Sequence, residues 1–119
     1  MAEDKPIFIL EDDVLIALDI KETLEEAGHR NFVLCHSLRQ AENFLAERTP
    51  RLAFLDVNLG RGETSLAIGV ELAARDCAII LMSGYSGATV DLPPEIDAVP
   101  RLSKPFVTSD LLQAAAQYG

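Results

Sequence analysis

The chain has no tryptophan, only two cysteines, and no apolar run approaching the ~20 residues that a bilayer-spanning helix requires. Its first residues, Met-Ala-Glu-Asp-Lys-Pro, are acidic and lead into no long apolar segment, so no secretory leader is evident. Together these absences point to a cytoplasmic protein with no membrane partner. Cys35 and Cys77 lie far apart in apolar surroundings, which suits buried free thiols better than a disulfide framework. Basic residues are also scarce, 10 Lys and Arg against 19 Asp and Glu, for a net charge of −9. Binding nucleic acid means neutralising phosphates with a basic patch, so this balance excludes that class and favours cations or basic protein surfaces as partners.

What is present is an ordinary globular composition, 49% hydrophobic and 24% charged over 119 residues, read as one domain spanning 1–119. The most informative stretch is Leu52-Ala53-Phe54-Leu55-Asp56-Val57-Asn58-Leu59-Gly60. Four apolar residues running into a lone aspartate and a glycine-containing polar segment read as a strand buried on both faces. On this stretch alone Asp56 reads equally as a residue at the carboxyl end of a functional strand or as a simple cap for the next segment.

The remaining chain supplies the context. Residues 6–10 read as a first apolar strand that ends in Glu11-Asp12-Asp13. A helix follows over 14–27, its apolar positions Val14, Leu15, Leu18 and Leu24, with Ala17 and Ala27, recurring at helical spacing; Asp13 is its N-cap and Gly28 its stop. Residues 31–35 make a second strand, and Ser37 caps a helix to about residue 47 with Ala41, Phe44 and Leu45 inward. After the Asp56 strand, 60–64 reads as a loop and 66–75 as a helix marred by Gly69. A fourth strand over 78–82 ends at Ser83-Gly84, and the stretch from Tyr85 to Pro94 shows no convincing long helix. A short fifth strand at 98–102 precedes the loop Ser103-Lys104-Pro105-Phe106, and Thr108 or Ser109 caps a final helix over 110–117.

Five alternations of strand and helix imply a doubly wound parallel sheet, an α/β (βα)5 arrangement with flavodoxin-like strand order 2-1-3-4-5 and an irregular or short fourth helix. Parallel geometry then gathers Glu11, Asp12, Asp56, Ser83 and Lys104 along one edge, and that convergence favours the functional reading of Asp56. Two carboxylates ~4 Å apart repel by about 4 kcal/mol at an effective dielectric of 20, a cost that a divalent cation relieves. An all-oxygen set without His or Cys suits Mg²⁺ rather than zinc. Ser83 and Lys104 suit phosphoryl oxygens, and aspartate is a known phosphoryl-accepting nucleophile.

In this order and at these spacings, Ile-Leu-Glu-Asp-Asp (9–13), Leu-Asp-Val-Asn-Leu (55–59), Leu-Met-Ser-Gly (81–84) and Leu-Ser-Lys-Pro-Phe (102–106) resemble the receiver domain of two-component response regulators over the whole chain. The resemblance implies Asp56 as phosphoacceptor, Glu11 and Asp12 as the Mg²⁺-holding acids joined by Asp56 and the backbone carbonyl of Asn58, Ser83 and Lys104 as phosphoryl-binding switch groups, and a cis bond before Pro105. The partners it implies are a sensor histidine kinase or a histidine phosphotransfer protein, with output through an unknown protein target. The segment 58–65 and Gly84-Tyr85 resemble, more narrowly, the stand-alone FATGUY receivers that accompany HWE-type kinases in alphaproteobacteria; Leu81-Met82-Ser83 departs from that subgroup's name motif.

Two departures bear on the switch. Arg101 stands where many receivers carry an aromatic three residues before the lysine, leaving Tyr85 as the nearest substitute. Tyr85, two residues past Ser83, is also expected to restrict water and slow loss of the phosphoryl group. Rival readings are a phosphorylation-independent pseudo-receiver, against which the intact residue set argues, and an aspartate-nucleophile phosphatase, disfavoured because Asn58 replaces the second acid such enzymes carry. The expectation is therefore a regulator rather than an enzyme.

Overall fold

A computed structural model of the protein describes residues 5–83 and 92–118. Strands β1 (Ile7–Leu10), β3 (Leu52–Asp56) and β6 (Ala78–Ser83) are apolar almost throughout, and successive side chains of a strand point to opposite faces. Such strands need cover on both sides, and they take the centre of the sheet. With β2 (Phe32–Cys35) and β7 (Arg101–Ser103) at the edges, the order is β2-β1-β3-β6-β7, parallel throughout. This is the flavodoxin-like arrangement anticipated from the alternation, once two additional short strands are set aside.

Each face carries its own core. Phe8, Leu10, Ala53, Leu55, Ile79 and Leu81 point to the side covered by α2 (Leu38–Leu45) and α3 (Leu66–Ala74). Ile7, Ile9, Leu52, Phe54, Ile80 and Met82 point to the side covered by α1 (Val14–Glu26) and α4 (Thr108–Tyr118). On the first side the rings of Phe8 and Phe44 stack with centroids 5.3 Å apart. Both cysteines are buried free thiols, and burial pushes each up to about 11, which keeps them unreactive.

The local signals that set the helix ends hold. Asp13 accepts from the amides of Leu15 and Ile16, Ser37 accepts from Gln40, and Gly28 (φ +101°) follows the end of α1. Several expectations are corrected. Residues 60–64 are not a plain loop: β4 (Asn58–Gly60) and β5 (Glu63–Thr64) form an antiparallel hairpin, turned by Arg61 and Gly62 at positive φ. The edge strand begins at Arg101 rather than Ala98, because Pro100 has no amide hydrogen and joins the sheet only by its carbonyl, which accepts from Leu81 at 2.9 Å. The last helix begins earlier than expected, with Thr108 and Ser109 inside its first turn and the carbonyl of Val107 accepting from Asp110 and Leu111. Gly69 is no blemish: a Cβ there would stand 3.1 Å from Ile96 Cδ1 and 3.5 Å from Leu55 Cδ1, so its missing side chain lets α3 lie close against the sheet and the 3₁₀ turn Pro94–Ile96. Tyr85 and the stretch 84–91 lie outside the described residues.

The inward face of α1 also differs. Ala17, Ile20 and Leu24 are buried, whereas Val14, Leu15 and Leu18 are 49%, 77% and 40% exposed. Helical spacing fits both stripes, and contact with Ile9 and Phe54 selects the one containing Ile20. Ile20→Ala is therefore expected to cost ~2–5 kcal/mol and Leu15→Ala to stay within about 0.5 kcal/mol, measured by urea unfolding; equal losses at the two positions would reverse the assignment.

Candidate functional site

The acids after β1 separate into three settings. Glu11 is completely buried, and a carboxylate there must be paired. Its Oε1 meets Lys104 Nζ at 2.5 Å and its Oε2 accepts from the Asp13 amide at 3.1 Å. Asp12 is exposed at the rim. Asp13 is spent on capping α1 through Oδ1, at 3.0 Å from Leu15 N and 3.3 Å from Ile16 N. Asp56 closes β3 and is 3% exposed; its Oδ1 accepts from Asn58 N at 3.3 Å and its Oδ2 lies 3.2 Å from Lys104 Nζ.

The register explains the meeting. Leu10 pairs with Leu55, so the residues that follow β1 lie beside Asp56. Lys104 arrives from the far edge, where its amide donates to the Ser83 carbonyl at 2.7 Å and the Lys104–Pro105 bond is cis. Ligand oxygens of Glu11, Asp12 and Asp56 all lie within 4.8 Å of one another, the one such group of possible metal ligands among the described residues. An open cleft above them is lined by Glu11, Asp12, Asp13, Ile16, Asp56, Asn58, Gly60 and Lys104.

Charge crowding perturbs the titrations. Burial, reinforced by hydrogen bonding and like charge from Glu11 and only partly opposed by Lys104, raises Asp56 to about 7. Burial acts to raise Asp12 too, but hydrogen bonding to Glu11 and Asp56 and the charge of Lys104 leave it below the ordinary carboxylate value. For Lys104, burial lowers the pKa, and the two carboxylates outweigh it to leave the ammonium firmer than usual. Three carboxylates against one ammonium leave two negative charges, which matches a divalent cation, and the donors are hard oxygens throughout. The residues present therefore fit a bound metal ion.

Of the residues singled out from sequence, Glu11, Asp12, Asp56, Asn58 and Lys104 come together at the cleft. Ser83 reaches the same sheet edge, next to the Asp56 partner Met82, but does not line the cleft. Arg101 is exposed and donates to the Asp97 carbonyl at 3.3 Å. Sequence reasoning missed Gly60, which has φ +83° and whose Cβ position is 3.5 Å from Asp12 Oδ2. The Gly-Arg-Gly turn was the available signal for a backbone passing close to the acids.

An oxygen-only acidic cluster with a single lysine stands at the carboxyl edge of a five-stranded parallel sheet, the fold of receiver domains. The chain belongs to the response regulator receiver domain family, whose family model matches residues 7–116. It is 27% identical over 114 residues to the transcriptional regulatory protein PdtaR of Mycobacterium tuberculosis, covering 95% of this chain and 56% of that protein. The chain thus spans about half the length of this curated relative. Among solved structures it resembles SdrG from Sphingomonas melonis Fr1, at TM-score 0.79 and 31% identity, covering 98% of this chain and 97% of that one. The PhyR receiver domain of Erythrobacter litoralis shares the fold, at TM-score 0.76 and 20% identity over 97% of this chain and 89% of that one.

The raised Asp56 has a consequence for stability. Its folded form holds a proton that the unfolded chain releases near 3.8, so its contribution is fully present at acid pH and is lost as pH rises through about 7. The lowered Asp12 acts only below the ordinary carboxylate range and the raised Lys104 only above 10.5, outside this window. The urea midpoint of the metal-free protein is expected to fall from about pH 4.5 to 7 and to level off above that, and Asp56→Asn to flatten the fall; an unchanged slope in the variant would refute the assignment.

Proposed function

We propose that the chain is a phosphoacceptor of a two-component or phosphorelay system, in which Asp56 takes a phosphoryl group from a phosphohistidine of a sensor histidine kinase or phosphotransfer protein. The observation that carries this reading is Asp56 itself, a buried strand-end carboxylate within 4.8 Å of two further carboxylates and 3.2 Å from a lysine ammonium. Glu11, Asp12, Asp56 and the Asn58 carbonyl would hold Mg²⁺. When bound, the cation offsets negative charge on the acids and on the incoming phosphoryl oxygens. An Asp56 oxygen attacks phosphorus, the P–N bond breaks, and the departing imidazole of the donor takes up a proton. Lys104 offers its ammonium, and Ser83 its hydroxyl, to the transferred group. The modified chain then acts by protein–protein interaction, through a conformer that phosphorylation favours. Arg101, Tyr85 and Pro105 are the tuning positions of this reading, and an HWE-type kinase is its expected donor.

In this reading the donor docks over the start of α1. Ile16 lines the cleft, and the neighbouring Val14, Leu15 and Leu18 present apolar surface that no element of the described chain covers. Exposed apolar groups next to a reaction centre suit a partner helix face. Leu15→Asp is expected to slow transfer from a phosphohistidine donor by about tenfold, ~1.4 kcal/mol, while leaving labelling by acetyl phosphate unchanged.

The direct test is intact mass after incubation with acetyl phosphate, with and without Mg²⁺, beside Asp56→Ala. One base-labile phosphoryl group that requires both Mg²⁺ and Asp56 is expected. No adduct, together with no binding of beryllofluoride and Mg²⁺ by NMR, would leave a phosphorylation-independent interaction module; turnover of a small phosphate ester would indicate a phosphatase.

A further inference from the structure

The ladder between β1 and β2 runs from Ile7 opposite Phe32 to Leu10 opposite Cys35, and the Glu11 amide closes it by donating to the Cys35 carbonyl at 3.0 Å. There β2 stops, and the next carbonyl in line, that of Glu11, receives a side chain instead: His36 Nδ1 lies 3.0 Å from it. A carbonyl oxygen only accepts, so Nδ1 carries the hydrogen of this bond. The backbone that carries the ring is itself held. The His36 amide donates to Gln40 Oε1 at 2.7 Å, and the Gln40 amide donates back to Ser37 Oγ at 3.2 Å, across the start of α2.

We infer that His36 is a positioning residue for the acidic pair, its ring pinning the peptide that joins Glu11 to Asp12. This rests on the metal reading above. The carbonyl of that peptide belongs to Glu11 and its nitrogen to Asp12. Across it the two side chains diverge, Glu11 inward to Lys104 and Asp12 outward to the rim, while their oxygens stay within 4.8 Å of each other and of Asp56. Like charges held that close push apart, and the strand end has no backbone ladder beyond Cys35 to resist them. The imidazole supplies that restraint from a second element, as an outer-shell hydrogen bond orients a ligand without touching the ion. Because His36 is only half-buried, its hydrogen bond, rather than packed volume, is what the site depends on.

The test is calorimetric titration of Mg²⁺ into the full chain as wild type, His36→Leu and His36→Asn, with urea midpoints recorded for all three. His36→Leu is expected to weaken Mg²⁺ binding by about tenfold. His36→Asn, whose amide N–H stands where Nδ1–H does, is expected to restore it. Nitrogen NMR of the wild type is expected to show His36 with its hydrogen on Nδ1. Wild-type affinity in His36→Leu, an Asn variant no better than Leu, or an Nδ1 without its hydrogen would each overturn the role while leaving the metal reading intact. A wild type without saturable Mg²⁺ binding would overturn both.

Discussion

Three carboxylates held against one another at the end of a buried sheet are the constraint on which this structure turns. Pairing of Leu10 with Leu55 brings the Glu11–Asp12 peptide beside Asp56, and the oxygens of the three acids lie within 4.8 Å of one another. A single ammonium, Lys104, bridges Glu11 and Asp56 and leaves the cluster doubly negative. Burial first, and the hydrogen bond and like charge of Glu11 after it, raise Asp56 to about 7 against the partial opposition of Lys104. A site in this condition is poised to take up positive charge, and it presents its reactive oxygen where incoming charge is already wanted.

The frame that holds such charges together is apolar. At ~4 Å a like-charge pair costs about 4 kcal/mol, comparable to what one or two large buried side chains contribute. The central strands supply many of these, among them Phe8, Ile9, Phe54, Leu55 and Ile80, all without exposure to solvent. Because both faces are covered, β1 and β3 are not free to spread and relieve the repulsion. Rigid, doubly covered strands concentrate the strain at their carboxyl ends, where the chain leaves the sheet and function-bearing side chains sit.

Elements outside the sheet refine the same edge. The β4–β5 hairpin carries the backbone of Gly60 past Asp12, and the Ser83 carbonyl tethers Lys104 from the neighbouring strand. The start of α1 spends Asp13 on its own cap and turns Leu15 and Leu18 to solvent. Residues adjacent in sequence thus serve separate purposes, Glu11 as a buried pairing group, Asp12 as a rim acid and Asp13 as a helix cap.

Much of this was legible in the chain. The apolar runs ending in acids specify central parallel strands, because only a doubly covered sheet buries every residue of such a run. Once strands alternate with helices, Glu11, Asp12, Asp56 and Lys104 fall on one edge by topology alone. Ser37, Asp13 and Gly28 mark helix ends because capping is local chemistry. What sequence left undecided depends on contacts between distant segments. Two helical stripes of α1 were equally apolar, and packing on Ile9 and Phe54 chose the one with Ile20. Gly69 reads as a helix defect until Ile96 and Leu55 are placed against it. The hairpin after Asp56 and the anchoring of Glu11 by His36 required backbone geometry that no periodicity encodes. The sequence by itself determined which groups share an edge, through strand polarity and pattern. Only the tertiary structure decided which of them are buried, paired or exposed, since burial is a property of neighbours brought from elsewhere in the chain.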